Sequence, residues 1–487
     1  MELPFLRYAA LFIVSFLIVR ILISIRNRSK LPPGPTALPG PLTALWSLTL
    51  SLPKSFSSIT SSHSPPAISP YNSSFAFPPY GPYWKFIKKL TTFELLGNRT
   101  LGQTLPVRTK ELHHFISILL DKSKSGETVS LTQELLKLTN NVISQMMLGI
   151  RCSGTVDQAD GFRTLVREVN EIFGEFNVSD IIWFFKNIDV QGFRKRFLDI
   201  HNRYDSLLEK IMRDREELRK NKKLNNDDVK DFLDIMLDIF EDEHSEVQLT
   251  RNHIKALILR QSDVNYICGG YVGLFDSRYR HNSNSGRMDI GRADKQPRGA
   301  KKSTARAGSS FGEKQLVQES DTPCLPYLQA IIKESFRLHP PIPMLSRKAV
   351  EGCKINGYTI PPQSLLFVNI WGIGRDPKVW EDPLKFQPER FMNSNRAVDT
   401  DISNSGVIDV KGLHYQLLPF GTGRRGCPGI SLAMQQLAVT LAALVQCFDW
   451  NAGGGVHMSE RPGLTARRAY ELNCVPLARF TPTLFAT

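Results

Sequence analysis

The residues whose spacing carries the most chemistry run from Phe420 to Gly429, Phe-Gly-Thr-Gly-Arg-Arg-Gly-Cys-Pro-Gly, just ahead of a long apolar stretch. They set one cysteine, Cys427, in a glycine-rich loop at the start of a helix pattern. Gly423 and Gly429 let backbone come close to a flat ligand, and the N–H groups opening the next helix stabilise negative charge on sulfur. Arg425 adds a fixed cation nearby. That is a site built for a thiolate. A lone cysteine ahead of a core helix is usually a small apolar residue. Here five residues at fixed spacing, F-x-x-G-x-R-x-C-x-G, outweigh that reading.

Several elements must position this loop. After it, Leu432, Leu437, Leu441, Leu444 and Phe448 recur at helical spacing, which predicts a buried helix over Ile430 to Phe448. Before it, Pro326 to Leu338 reads as a helix that places Glu334 and Arg337 three apart on one face. Exposed ion pairs at this spacing are common and worth little. Buried, the pair needs a third partner, and Pro388-Glu-Arg390-Phe supplies a second arginine. Between these lie a hairpin signal from Cys353 to Ile360, with Asn356-Gly357 as its turn, and a short apolar strand from Ser364 to Trp371. Far upstream, Trp84 and Lys88 stand four apart on one face of a helix that starts at Pro82; an ordinary core tryptophan would show the same spacing. Leu131 to Ile143 reads as a core helix, and Arg213 to Asp228 as a solvated charged stretch. There is no internal repeat and no phosphate-binding glycine loop.

The N-terminus is almost wholly apolar from Pro4 to Ile25 and is followed by Arg26, Arg28 and Lys30. About 22 residues at roughly 1.5 Å each match a hydrocarbon core of about 30 Å, with Arg7 and Arg20 snorkelling to the headgroups. Residues 1–30 are therefore expected to be a membrane anchor, with the bulk of the chain on the cytosolic side. A removable signal peptide is the other reading, but no small-residue cleavage site follows. Residues 31–41 are a proline-rich hinge, and 42–487 are expected to be one catalytic domain. Seven cysteines, odd in number and scattered, do not form a disulfide framework and fit a reducing compartment.

The cysteine loop resembles the haem-binding loop of the cytochrome P450 superfamily. That resemblance implies a mainly α fold with small β-sheets. It implies haem b with the Cys427 thiolate as axial iron ligand, Arg425 pairing with a propionate, Phe420 shielding the sulfur, and Gly423 and Gly429 allowing the approach. By the same resemblance Trp84 and Lys88 face the propionates, and Glu334, Arg337 and Arg390 form a structural triad behind the loop. Pro340 to Arg347 should line the substrate pocket by position. Arg347 is either a further propionate partner or a solvated surface arginine. The implied chemistry is monooxygenation, with O2 and with NADPH electrons delivered by a flavin-containing reductase, at the endoplasmic reticulum membrane. Thiolate ligation pushes electron density onto iron and favours O–O cleavage.

Within the family, Gln416 to Met434 and Val445 to Trp450 resemble plant flavonoid members of the flavone synthase II and flavanone 2-hydroxylase type. These oxidise a flavanone at C2. Isoflavone synthase or another phenylpropanoid hydroxylase is the alternative substrate reading; an inactive product of a defective gene is the alternative of another class. The net charge of +14 suits an acidic electron donor and an anionic membrane surface. Nucleic acid is not expected as a partner, since residues 276–310 carry nine Lys/Arg against three Asp without the interleaved aromatics of a stacking platform.

Two windows do not fit the family pattern. Residues 42–77 are Ser/Pro-rich and read by composition as loop, and within them 47–66, read one base earlier, admit an amphipathic helix pattern. From Arg260 the chain departs from the distal, oxygen-activating helix that the family places there. Read one base later, 276–310 admits TAGTDTT, the family's oxygen-binding signature, and Met288 followed by Asp289 must then yield Trp. Residues 260–311 are thus expected to be irregular, the distal helix region disrupted, and 47–66 and 260–311 to be out of frame or unspliced. Sequencing the transcript checks this: stops or unrelated residues in the shifted frames refute it. Restoring the frame is expected to recover flavanone oxidation that the 487-residue chain lacks; equal turnover by both would refute the reading of the second window.

Overall fold

A computed structural model describes residues 60–61, 80–151, 165, 168, 172, 189, 191–221, 230–261, 315–355, 357–392, 408–452, 459–461 and 465–479. The expected anchor (1–30) and hinge (31–41) lie outside these residues. So do the two anomalous windows, apart from Thr60, Ser61, Arg260 and Gln261. The strands in chain order are β1 (Thr60–Ser61), β2 (Val129–Ser130), β3 (Met344–Ala349), β4 (Cys353–Ile355), β5 (Tyr358–Ile360), β6 (Leu365–Asn369), β7 (Phe448–Asn451), β8 (Glu460–Arg461), β9 (Arg467–Arg468) and β10 (Asn473–Ala478). The α-helices are α1 (Pro82–Lys89), α2 (Asn98–Gln103), α3 (Leu105–Ser125), α4 (Leu131–Leu148), α5 (Phe193–Asn221), α6 (Phe232–Glu241), α7 (Arg251–Gln261), α8 (Pro326–Leu338), α9 (Ile370–Ile373) and α10 (Ile430–Cys447).

The chain divides into a smaller unit, Met1–His63 with Ser346–Val368, and a larger one, Ser64–Leu345 with Asn369–Thr487. In the smaller unit β1, β3 and β6 form a three-stranded sheet in the order β1-β3-β6, with Thr60 opposite Ala349. β4 pairs with β5, Ile355 opposite Tyr358, and Gly357 sits at φ 82°; of the two-residue turn expected at 356–357, residue 356 lies outside the described residues. Ala349, Ile355, Ile360 and Leu366 bury a small apolar core.

The larger unit is helical. α10 is apolar nearly all round, and Leu432, Leu437, Leu441 and Leu444 are buried against the neighbouring helices. Among the described helices it alone is long and apolar enough to cross a membrane, but most of it is buried inside the protein. It feeds straight into β7, where Phe448 and Trp450 alternate inward, and β7 pairs with β10, which pairs with β2. α4 starts where the Ser130 hydroxyl accepts from the Gln133 N–H and ends at Gly149 in the left-handed region.

Two expectations are corrected. The strand expected over Ser364–Trp371 stops at Asn369, because the Asn369 Oδ1 accepts from the Gly372 N–H at 2.8 Å and caps α9. Arg213–Asp228 is not a solvated stretch throughout: α5 continues to Asn221, and Arg215 is folded inward. Its Nη1 reaches Asp231 at 2.6 Å and Asp234 at 2.8 Å, and its Nη2 donates to the Leu148 carbonyl at 2.7 Å. Arg215 thereby joins the end of α4 to the start of α6.

Gly149 makes that junction possible. It sits at φ 64°, and a Cβ there would stand 2.7 Å from Arg215 Nη2 and 2.8 Å from Asp231 Oδ2. Gly149→Ala is expected to destabilise the protein by at least about 1–2 kcal/mol from the left-handed backbone alone. Urea denaturation of the two proteins checks this, and an unchanged midpoint would refute it.

Candidate active site

Arg337 is almost fully buried near the end of α8, and each of its five N–H donors has an acceptor. Nε and Nη2 donate to Glu334 at 2.7 and 2.8 Å, Nη1 to the carbonyls of Gly374 and Pro383, and Nη2 also to the Lys385 carbonyl at 3.0 Å. Glu334, wholly buried, also accepts from the Gln387 N–H at 2.7 Å and from Arg390 Nε at 3.2 Å. Arg390 further donates to the Glu381 carbonyl at 3.0 Å. Both guanidinium groups lie near the face of Trp380, at 5.3 and 5.8 Å from its ring centre.

The next residue back on α8, Phe336, meets Phe420 edge-to-face with ring centres 5.3 Å apart. Phe420 opens the cysteine loop, and its carbonyl accepts the Cys427 N–H at 2.9 Å. The loop turns through a short 3₁₀ segment, Gly423–Arg425, entered with Gly423 at φ 68°, a conformation that favours glycine. Gly429 has ordinary dihedrals (φ −86°, ψ 14°) and begins α10, whose first backbone bond runs from the Ala433 N–H to the Gly429 carbonyl at 2.9 Å.

α1 packs on the loop from the other side. Lys88 Nζ donates to the Gly426 carbonyl at 2.5 Å, and the Arg425 guanidinium lies 4.4 Å from the centre of the buried Trp84 ring. Arg424 stacks likewise on Tyr80 at 4.2 Å, and the Tyr80 and Trp84 rings are 5.3 Å apart. Cys427 itself is half-buried. Burial pushes its thiol up, against the opposing pull of the Gly429 N–H and the Lys88 cation. Burial lowers Lys88, as does the Arg425 charge, while Cys427 opposes them. Among the described residues no three His, Cys, Asp or Glu side chains cluster to hold a metal ion. The donor offered here is a single sulfur, which suits a metal already held by a ligand of its own.

A sequence model of the family described as cytochrome P450 matches residues 52–261 and 301–473. The chain belongs to the cytochrome P450 family. It is similar to cytochrome P450 93B16 of Glycine max, 51% identical over 85% of this chain and 78% of that one. Cytochrome P450 93B2 of Gerbera hybrida is 52% identical over 84% and 76%, and 2-hydroxyisoflavanone synthase of Glycine max 39% over 84% and 76%. Among solved structures, a cyanobacterial CYP120A1 with bound retinoic acid superposes with a TM-score of 0.63 over 86% of this chain and 84% of that one. At 17% identity that likeness establishes the fold, helical with small sheets.

As a cytochrome P450 this chain is a monooxygenase, an oxidoreductase of a family that implies a haem on a cysteine thiolate, a reductase partner and a small-molecule substrate. The residues present fit that group: a half-buried cysteine, a glycine turn beside it, and arginine and lysine within the same cluster. The structure brings Cys427, Phe420, Gly423, Arg425, Gly429, Trp84 and Lys88 to one place, with Glu334, Arg337 and Arg390 behind them. Arg347 belongs to the smaller unit, on β3, where its Nη1 donates to the Ser346 carbonyl at 2.9 Å and burial lowers its pKa. Sequence reasoning missed Tyr80 and Trp380, since a ring is read as core until a guanidinium is seen over it. Arg337→Met is expected to cost about 3–5 kcal/mol by leaving Glu334 buried with its principal partner gone. Denaturation at neutral pH measures this; a loss under about 1 kcal/mol, the range of an exposed pair, would refute it.

Proposed function

We propose that this cytochrome P450 oxidises a flavanone at C2, giving a flavone or a 2-hydroxyflavanone. The observation that carries the chemistry is Cys427 in its loop, anchored by the Phe420 carbonyl and flanked by Lys88 and Arg425. The substrate class rests on the resemblance of Gln416 to Met434 and Val445 to Trp450 to members of the flavone synthase II type; identity is 51–52% to the two 93B proteins and 39% to the soybean 2-hydroxyisoflavanone synthase.

In this reading the Cys427 sulfur would hold the haem iron, and Arg425, Trp84 and Lys88 would face its propionates. Bound haem b supplies activation of O2 with two electrons that originate in NADPH, so that one oxygen atom enters the substrate or two hydrogens leave it. The chain's own residues orient and shield. Phe420 keeps water from the sulfur, the Gly423 turn clears the approach, and the Phe336 contact fixes the loop against α8. Ile342 and Met344, half-buried and exposed after α8, offer apolar surface for a flat aromatic substrate. The electron donor is taken to be a flavin-containing reductase meeting a basic face. The Pro4–Ile25 run would hold the chain at the endoplasmic reticulum membrane with the catalytic domain in the cytosol.

Reduced protein treated with carbon monoxide is expected to show the displaced Soret band of a thiolate-ligated haem, and Cys427→His to show the undisplaced band of an imidazole-ligated one. With reductase and NADPH, the frame-restored chain should convert a flavanone and Cys427→His should not. A displaced band that survives Cys427→His would remove the ligand assignment. A displaced band without flavanone turnover in the frame-restored chain would remove the substrate.

A further inference from the structure

The stretch after the triad helix, Pro340-Pro-Ile-Pro-Met-Leu345, contains three prolines, so Pro340, Pro341 and Pro343 have no N–H to donate. It is held through its carbonyls by donors from elsewhere. The Ala466 N–H donates to the Pro341 carbonyl at 2.9 Å, and the Trp371 N–H to the Pro343 carbonyl at 3.1 Å. Those two donors come from distant parts of the larger unit, the β8–β9 hairpin and α9, and one side chain joins them. Glu460, the first residue of β8, meets His339 Nδ1 at 2.8 Å, immediately before the proline run. The Trp371 indole N–H favours the ionised form of the same carboxylate. The Arg375 guanidinium lies 3.8 Å from the centre of the Trp371 ring and adds its charge to the group.

We propose that Glu460 is a positioning residue: through His339 and Trp371 it fixes both flanks of Pro340–Leu345, and so sets the apolar surface of Ile342 and Met344 that receives the substrate. This rests on the flavanone reading for the ligand and on contacts in the larger unit for the device. Burial would push the Glu460 carboxyl up, but the His339 bond, the nearby Arg375 charge and the indole N–H hold it below the ordinary range. It is therefore ionised at neutral pH and accepts from His339. Among the described residues, His339 and Arg375 are the charged or titratable groups that act on Glu460. Burial has pushed Arg375 down to about 10, so it remains a cation there. Next to it, the Gly374 carbonyl accepts from Arg337, which ties the cluster to the triad.

The test uses the full chain and two readouts. In Glu460→Ala and in His339→Ala, hydrogen exchange of the Ala466 and Trp371 amides should quicken about tenfold, the loss of one net hydrogen bond to a charged group, while α10 amides keep their rate. Flavanone affinity, by equilibrium dialysis, should weaken by about the same factor. His339→Asn keeps a donor near the place of Nδ1, and Glu460→Gln keeps the acceptor without the charge. Each should recover most of the wild-type exchange rate, which a merely collapsed fold would not do. Unchanged exchange in both alanine variants overturns the proposal, as does quickened exchange with unchanged affinity, or failure of both conservative variants to recover. If the wild-type chain binds no flavanone, the substrate reading falls and the exchange rates alone decide the role of Glu460.

Discussion

A guanidinium taken out of water must find every one of its partners in the protein, and Arg337 is that group here. Its five donors draw together Glu334 on its own helix and the carbonyls of Gly374, Pro383 and Lys385. The cost of desolvating such a pair commonly cancels the gain. What the network contributes is geometry: three separate backbone points and the Gln387 N–H are fixed relative to α8. Phe336 on that helix then meets Phe420, whose carbonyl receives the Cys427 N–H. The place of the sulfur is thus set, link by link, by a charge that never touches it.

The opposite side of the loop is organised by another form of the same physics. Arg425 lies over Trp84 and Arg424 over Tyr80, so two cations are held by ring faces, while Lys88 crosses to a backbone carbonyl. Ring faces attract a cation without neutralising it. The raised thiol of Cys427 belongs to the same balance, since burial favours the neutral form until a metal takes the sulfur.

Local patterns were legible in the sequence where the deciding interaction is local. Pro326 and Leu338 bound α8 as read, α10 ends one residue before the expected Phe448, and the two strands of the expected hairpin pair with Ile355 opposite Tyr358. Glu334 and Arg337 could be paired because they are three residues apart and share a helix face. The misses have a common cause. Asn369 ended a strand through its side chain, which an apolar run conceals. Arg215 looked solvated amid charged neighbours because its partners Asp231 and Asp234 lie beyond a stretch that periodicity does not bridge. Glu460 and His339 are 121 residues apart, and no spacing rule connects them. The anchor, the hinge and nearly all of both anomalous windows were read from sequence and lie outside the described residues.

The proline run after α8 has a consequence for the order of assembly. A segment with so few donors cannot hold its own shape, and the Pro341 carbonyl finds its donor at Ala466, more than a hundred residues later in the chain. Bonds of such long sequence separation carry a large closure entropy and form late. While the chain is being made, α8 can close its Glu334–Arg337 pair at once, but the stretch beside it must wait for the C-terminal hairpin to leave the ribosome. A chain truncated before Glu460 would therefore retain most of the elements around the sulfur and still leave Pro340–Leu345 without its Ala466 donor and its His339 tether.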